Sequence, residues 1–317
     1  MKNTGIFFYL SERRFPPLLY WRRLSQILFF GVFVFLFIRT DYSGSDHIEY
    51  AVNILFRLDP FLAAVTMAAA GAVIALMLPA LLVLGLALVF GRSFCGWACP
   101  MGTLLDGCDH LLPTNLKGRK TLFPRAGRII FWLVLLLAFL GFHAAGYVDP
   151  FAILVRGLAQ TFYPLFHGLT ETFFTWTYTS APSYVNSVTE PLYAWMKDFL
   201  LPAERKYFEL VSLSFVVLVL IFLLEMAQKR FFCRNICPLG AMLGMVSRRG
   251  LQRVRGGSEQ CGQCRICASL CRMGAIDENR RIDMSTCNLC GECAVKCPRQ
   301  IIGFTYGGVR QGPLPTS

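Results

Sequence analysis

Four apolar stretches stand out along the chain. They lie near residues 21–38, 64–90, 129–147 and 209–227. A helix needs about 20 apolar residues to cross the hydrocarbon core of a bilayer, and each stretch is close to or above that length. The pattern therefore predicts a mainly α membrane protein with four transmembrane helices.

Composition supports a membrane protein that carries one small soluble unit. Hydrophobic residues make up 55% of the 317 residues, and charged residues make up only 16%. The net charge of +12 comes from Lys and Arg residues beside the apolar stretches, which favours membrane topology over nucleic-acid binding. We find no nucleotide, flavin or catalytic-triad motif in the sequence.

The basic residues also predict an orientation. They are concentrated before the first apolar stretch, between the second and third, and after the fourth. Cytoplasmic loops carry such an excess of Lys and Arg. We therefore expect a multi-pass protein of the inner membrane with both termini in the cytoplasm and residues 149–208 outside.

Eight of the 13 cysteines fall in two identical C-x2-C-x2-C-x3-C runs. In such runs three thiolates hold one [4Fe–4S] cluster and the fourth reaches a second cluster. The predicted ligands are Cys261, Cys264, Cys267 and Cys297 for one cluster, and Cys287, Cys290, Cys293 and Cys271 for the other. Zinc sites need C-x2-C pairs set well apart, and disulfide frameworks are typical of short secreted chains, so both alternatives fit less well.

Residues 258–306 resemble the bacterial two-cluster ferredoxins, which implies a small α+β domain. Residues 275–282 suit a hairpin, and a short strand is expected around residues 301–304. Arg272 follows Cys271 where the family usually has proline, and its charge is expected to favour the reduced state of the nearer cluster. The predicted domains are a transmembrane domain over 1–250 and a cytoplasmic 2[4Fe–4S] ferredoxin domain over 251–317. Residues 248–257 are predicted to be a flexible basic linker held against anionic lipid, with a docking site for an acidic partner as the alternative.

Two passages of the membrane part repeat one another. The identical positions are Arg92 and Arg230, Phe94 and Phe232, Cys95 and Cys233, Cys99 and Cys237, Pro100 and Pro238, Gly102 and Gly240, and Leu105 and Leu243. Upstream, Asp-Pro-Phe also occurs twice, at 59–61 and 149–151. We therefore predict two parallel span-pair repeats, whose C-x3-C-P motifs meet on the cytoplasmic side beneath the ferredoxin domain. The second copy carries an aromatic-rich insertion, predicted to lie along the outer interface as short helices.

The C-x3-C-P motifs are candidate chemical sites. Proline suits the first helical position, so Cys99 and Cys237 are predicted to cap helices that run to about residues 111 and 248. A thiol at a helix amino terminus ionises more easily. One interpretation is a tight turn lined by small buried cysteines, and the other is metal ligation or thiol redox chemistry. The second interpretation predicts a third metal or cluster site formed by Cys95, Cys99, Cys233 and Cys237, whereas Cys108 is read as core.

Asp59 and Asp149 have an ordinary and a functional interpretation. Asp followed by Pro is a usual helix start, so both are predicted as caps. The alternative is a carboxylate near the outer interface that accepts a proton from quinol, with Arg57 or Arg156 nearby. Haem is a weaker possibility, because His47, His110, His143 and His167 form no matched axial pair.

The spans, the two motifs and the ferredoxin part together resemble the NapH/MauN group of membrane-anchored ferredoxins, with related modules in the NosR and CcoG groups. This resemblance implies electron transfer at the cytoplasmic membrane, between the quinol pool or a membrane redox partner and a cytoplasmic-side or peripheral reductase. The chain would then be an electron-transfer subunit of a quinol dehydrogenase or reductase system. The alternatives are a copper reductase of the CcoG kind and a redox sensor or maturation factor.

Overall fold

The computed structural model shows a mostly helical chain with a small sheet near its carboxyl end. It describes residues 16–40, 52–111, 123, 125–180, 183–199, 211–255, 264, 266–277, 279, 281–298 and 301–307. Helices and strands are numbered below in chain order.

Six helices lead into and through the first cysteine motif. They are α1 (Pro16–Arg39), α2 (Asn53–Arg57), α3 (Pro60–Ala70), α4 (Ala80–Phe90), α5 (Phe94–Trp97) and α6 (Pro100–Leu111), with 3-10 turns at Ala75–Met77 and Gly91–Ser93. The next set leads through the second motif: α7 (Ala126–Phe139), α8 (Ala145–Val148), α9 (Pro150–Gly157), α10 (Tyr163–Ser180), α11 (Ser183–Phe199), α12 (Val211–Ala227) and α13 (Pro238–Ser247), with π-helical turns at Leu158–Phe162 and Phe232–Ile236.

The predicted spans agree with the helices at two of four places. Helices α1 and α12 cover the first and fourth stretches, but the prediction of one continuous helix over 64–90 is wrong. Gly71 ends α3 in the left-handed conformation at φ 62°, and α4 begins only after Pro79. The third stretch is also interrupted, because α7 ends at Phe139.

Two helical stretches in the described part of the chain are long and apolar enough to cross a membrane. They are Leu18–Arg39 and Ala75–Trp97. Shorter apolar helices cover Pro60–Ala70, Ala126–Phe139, Leu213–Ala227 and Pro238–Ser247. The four-span repeat therefore stays a prediction.

The helices that follow the two motifs pack across the duplication. Helix α13, from the second motif, contacts α3 and α4 of the first unit as well as α7. Helix α6, from the first motif, contacts α9 and α12 of the second unit as well as α1. Leu105 and Leu243, at matching positions of α6 and α13, are both fully buried in one shared core. The two units are thus held together by their motif helices.

The aromatic insertion differs in part from the prediction. It follows α9, whose Phe151 and Leu154 are buried in the core. Helices α10 and α11, of 18 and 17 residues, follow and are longer than expected. They contact each other through the rings of Phe174 and Tyr193, whose centroids are 4.8 Å apart.

The carboxyl-terminal part has its own small core. Strands β1 (Gln252–Arg255) and β2 (Gly303–Tyr306) pair antiparallel, and helices α14 (Ile266–Leu270) and α15 (Glu292–Val295) contact each other. A bridge between Ile276 and Ile282 confirms the predicted hairpin. Strand β1 occupies four of the ten residues of the predicted linker, so the expectation of a flexible connection is wrong for residues 252–255. Residues 256–263 lie outside the described residues.

Candidate iron-sulfur and buried cysteine sites

The second ferredoxin quartet surrounds Cys293, near the start of α15. Burial raises the pKa of Cys293, and the nearby thiols of Cys290, Cys287, Cys271 and Cys267 raise it further. Cys271 also raises the pKa of Cys287, after burial and Cys290. The structure therefore brings Cys271 of the first run to the three leading cysteines of the second run.

The first quartet is described only in part. Cys264, Cys267 and Cys297 are half-buried, and Cys261 lies outside the described residues. Across the described ranges, no three His, Cys, Asp or Glu side chains converge as the ligands of one metal ion do. A [4Fe–4S] cluster spreads its thiolates over separate iron atoms, so its ligands need not meet at one point. The donor chemistry fits such clusters.

The four motif cysteines lie together in the core of the helical part. Cys95, Cys99, Cys233 and Cys237 are 6–7% exposed. The charge of a thiolate at Cys95 or Cys233 would be felt at Cys99, and the same two positions act on Cys237. The structure thus brings together all four residues of the predicted third site.

The predicted helix starts are confirmed. Helices α6 and α13 begin at Pro100 and Pro238, and the Cys237 Sγ accepts a hydrogen bond from the Gly240 N–H at 3.3 Å. The expected ease of ionisation is not observed, because burial raises the pKa of Cys233 to about 12 and also raises the pKa of Cys99 and Cys237. Loss of water around the thiolate outweighs the helix terminus.

Two arginines, which were identified above only as positions of the repeat, each reach across to the other motif. Arg92 of the first motif donates to the carbonyl of Cys233 at 2.8 Å, and Arg230 of the second donates to the carbonyl of Cys95 at 2.9 Å. A Cβ on Gly240 would lie 2.0 Å from the Arg92 guanidinium, which explains the glycine of that motif. The signal was present in the sequence, since both arginines and both glycines are duplicated.

Arg230 is also the centre of a buried network of ion pairs. Its guanidinium makes two hydrogen bonds to Asp106 of α6, at 2.8 and 2.7 Å, and Arg22 of α1 pairs with the same carboxylate. Burial pushes the pKa of Asp106 up, but Arg230, Arg22 and Arg272 together hold it well below its usual range. Such a network is tolerated in a core only because its charges are paired.

Arg272 also belongs to this network. Its guanidinium lies 3.1 Å from Asp106 and 3.0 Å from Glu292. Two carboxylates therefore neighbour its positive charge, and its effect on the nearer cluster stays a prediction. Arg272 joins the carboxyl-terminal part to α6.

The carboxyl-terminal part sits directly on the two motifs. The Trp97 indole donates to the Leu289 carbonyl at 3.2 Å, and the Ser247 hydroxyl donates to the Met284 carbonyl at 2.8 Å. At Gly244 the backbone of this part comes so close that a Cβ would lie 2.4 Å from the Ser285 carbonyl oxygen. These contacts at Trp97, Ser247 and Gly244 form the seat of the carboxyl-terminal part, and they contradict a loosely tethered ferredoxin domain.

A cavity of about 440 Å³ lies at this interface. Its walls include Cys233 and Cys237 of the second motif and the guanidinium-bearing residues Arg92 and Arg234. The cavity is therefore positively charged where it adjoins two of the four buried cysteines.

The remaining candidates are placed as follows. Asp59 and Asp149 cap α3 and α9, which confirms their ordinary interpretation. Both are fully buried, and their alternative role as proton acceptors from quinol stays a prediction. Cys108, read as core, is half-buried. His47 and the side chain of His110 lie outside the described residues, whereas His143 approaches Thr66 and His167 approaches Glu171.

Several known proteins resemble this chain over most of its length. A family described as "4Fe-4S binding domain" matches twice, over residues 70–118 and 209–255, so each match contains one C-x3-C-P motif. The ferredoxin-type protein NapH of Haemophilus influenzae is 24% identical over 90% of this chain and 89% of its own length. The methylamine utilization ferredoxin-type protein MauN of Methylorubrum extorquens is 27% identical over 79% of this chain and 73% of its own length.

The regulatory protein NosR of Stutzerimonas stutzeri is 25% identical over 67% of this chain but only 25% of its own length. No solved structure matches the chain. These relatives confirm the resemblance to NapH- and MauN-like ferredoxin-type proteins. The chain is an iron–sulfur protein similar to ferredoxin-type electron transport proteins.

Proposed function

We propose that this protein is a membrane-bound iron–sulfur electron-transfer protein. It would pass electrons between the quinol pool, or a membrane redox partner, and a reductase at the cytoplasmic side or periphery of the membrane. The observation that carries the proposal is the seat of the cysteine-rich part on both motifs, through Trp97 and Ser247. Electron tunnelling weakens steeply with distance, so a fixed seat supports transfer better than a tether.

The proposed cofactors are two [4Fe–4S] clusters in the ferredoxin part. Cys261, Cys264, Cys267 and Cys297 would hold one, and Cys287, Cys290, Cys293 and Cys271 the other. Each cluster, when bound, supplies one-electron redox chemistry. The proximity of Cys271 to Cys287 and Cys293 supports the crossed assignment. If Cys271→Ala spares the signal of the second quartet and removes that of the first, the assignment is reversed.

A third centre at Cys95, Cys99, Cys233 and Cys237 is part of the proposal. The four cysteines are buried together, two buried arginines face them, and each of the two family matches contains two of them. Thiolates are soft ligands, which suit an iron–sulfur cluster, copper(I) or zinc. This centre would lie between the ferredoxin part and the remaining helices.

Metal analysis and reduction of the protein purified without oxygen test the proposal. We expect more metal than the roughly eight iron atoms of two cubes, and loss of the excess in the double variant Cys99→Ala, Cys237→Ala. Cys108→Ala is the matched control and should keep all the metal. A quinol analogue should reduce the clusters in detergent. Reduced clusters that are oxidised by copper, without any response to quinol, would favour the copper reductase instead.

The proposed topology places both termini in the cytoplasm, on the strength of the basic residues beside the apolar stretches. Helix α10 would then end outside. A reporter enzyme that is active only outside the cytoplasm should therefore be active when it is fused after Thr179. If a reporter that is active only in the cytoplasm works at the same position, this orientation is refuted.

A further inference from the structure

The two Asp-Pro-Phe sequences meet in the interior of the helical part. Asp59 precedes α3 and Asp149 precedes α9, and both residues are 0% exposed. Their carboxyl groups lie within hydrogen-bonding reach of each other. The duplication therefore creates a pair of acids where sequence reasoning had placed two separate helix caps.

Each acid uses only one oxygen as a cap. Asp59 Oδ1 accepts from the N–H groups of Phe61 and Leu62, at 2.8 and 3.0 Å, and Asp149 Oδ2 accepts from that of Ala152, at 2.8 Å. The second oxygens, Asp59 Oδ2 and Asp149 Oδ1, are buried and receive no donor from the described protein. Capping therefore accounts for one oxygen of each carboxyl group, and the second oxygen needs another partner.

Electrostatics allows one simple solution for two such groups. Two ionised carboxylates offer only acceptors, so they repel each other and cannot form a hydrogen bond. One added proton turns the contact into a strong O–H···O⁻ bond and satisfies both orphan oxygens. Among the contacts of the described residues, no cationic side chain touches the pair and could replace the proton. Arg156, a nearby cation on α9, lies over the Tyr147 ring.

We propose that Asp59 and Asp149 form a proton-binding site that holds one proton between Asp59 Oδ2 and Asp149 Oδ1. The ligand is a single proton, and the site does not depend on the function proposed above. It belongs to the same core as the motif cysteines, because the ring of Phe151 lies 6.2 Å from that of Phe94, next to Cys95. Binding or release of the proton changes the charge of that core by one unit.

Infrared spectroscopy of the purified full-length protein in detergent tests the proposal. A protonated carboxyl group gives a carbonyl stretching band that ionised carboxylates lack and that shifts in D2O. We expect such a band at neutral pH, and we expect aspartate labelled with 13C at the side-chain carboxyl to shift it. The labelling separates it from any band of the buried Glu225.

Asp59→Asn and Asp149→Asn keep a good capping residue and a similar shape. Either change supplies an amide donor to the remaining carboxylate, so we expect complete loss of the aspartate band. Asp277→Asn, outside this core, is the control and should leave the band unchanged. Absence of the band from the unmodified protein, or its survival in either variant, would overturn a shared proton. Far-ultraviolet circular dichroism of each variant identifies loss that is due to unfolding.

Discussion

The two copies of the cysteine motif have nearly the same core but different surroundings. In both, an arginine crosses to the other copy, a leucine is fully buried and the second cysteine precedes a helix. They differ at several positions of that helix, and at one of these the first copy has Asp106 and the second has Gly244. Asp106 collects three arginines, whereas Gly244 gives room to the Ser285 backbone.

This difference shows how two copies of one unit can bind the carboxyl-terminal part through non-equivalent contacts. The positions that the copies share build the symmetric interior around four cysteines. The position of Asp106 and Gly244, which they do not share, contributes to the contact with the ferredoxin part, by charge in one copy and by close approach in the other. The structure therefore uses both the positions that the copies share and those at which they differ.

The largest expected effect separates the two crossing arginines. Arg230→Gln leaves Asp106 buried without its main partner, and breaking a buried ion pair in this way costs about 3–5 kcal/mol. Arg92→Gln removes a hydrogen bond to a carbonyl and should cost about 1–3 kcal/mol. The temperature at which the visible absorbance of the clusters is lost in detergent reports the difference. Equal losses in the two variants would show that the network around Asp106 contributes nothing special.

A smaller effect is expected at the seat. Gly244→Ala places a methyl group against the Ser285 carbonyl, and overpacking of this kind costs about 1–3 kcal/mol. The control is Gly107→Ala, whose Cβ would meet nothing within 4 Å. Limited proteolysis should release the carboxyl-terminal part faster in the first variant only. An unchanged cleavage rate in Gly244→Ala would mean that the contact is not tight.

Acid should weaken the first copy in a defined range. The three arginines hold the folded pKa of Asp106 below its ordinary value of 3.8, so the carboxylate stabilises the fold above that pH. This contribution is lost as the pH falls through the folded pKa. Asp106→Asn should therefore lose helical circular dichroism less steeply between about pH 4 and pH 2 than the unmodified protein, although it is less stable at neutral pH. Parallel acid curves would remove Asp106 as the titrating group.

The smallest expected difference concerns the shared interior. Leu105→Ala and Leu243→Ala each remove a fully buried side chain, and each should cost about 2–5 kcal/mol. Because the positions are equivalent, we expect the two losses of thermal stability to agree within about 0.5 kcal/mol. A clearly larger loss at one leucine would show that the equivalence of the copies does not extend to their packing.

Local chemistry explains what the sequence predicted well. Proline after Cys99 and Cys237 begins α6 and α13, and the apolar runs of the first and fourth stretches form α1 and α12. The breaks in the other two runs also had local signals, Gly71 with Pro79 and the glycine after α7. A prediction from length and hydropathy alone misses these breaks, because an apolar run does not show where a helix within it ends.

The sequence by itself determined the two quartets of cysteines, the duplication and the helix caps, because each rests on residues close together along the chain. Only the tertiary structure decided that Arg92 and Arg230 each donate to a carbonyl of the opposite motif. The same is true of the contact between Arg272 and Asp106 and of that between Asp59 and Asp149. All of those contacts join residues 90 or more positions apart along the chain. Their energies depend on burial and on the distance between charges, which exist only after the chain has folded.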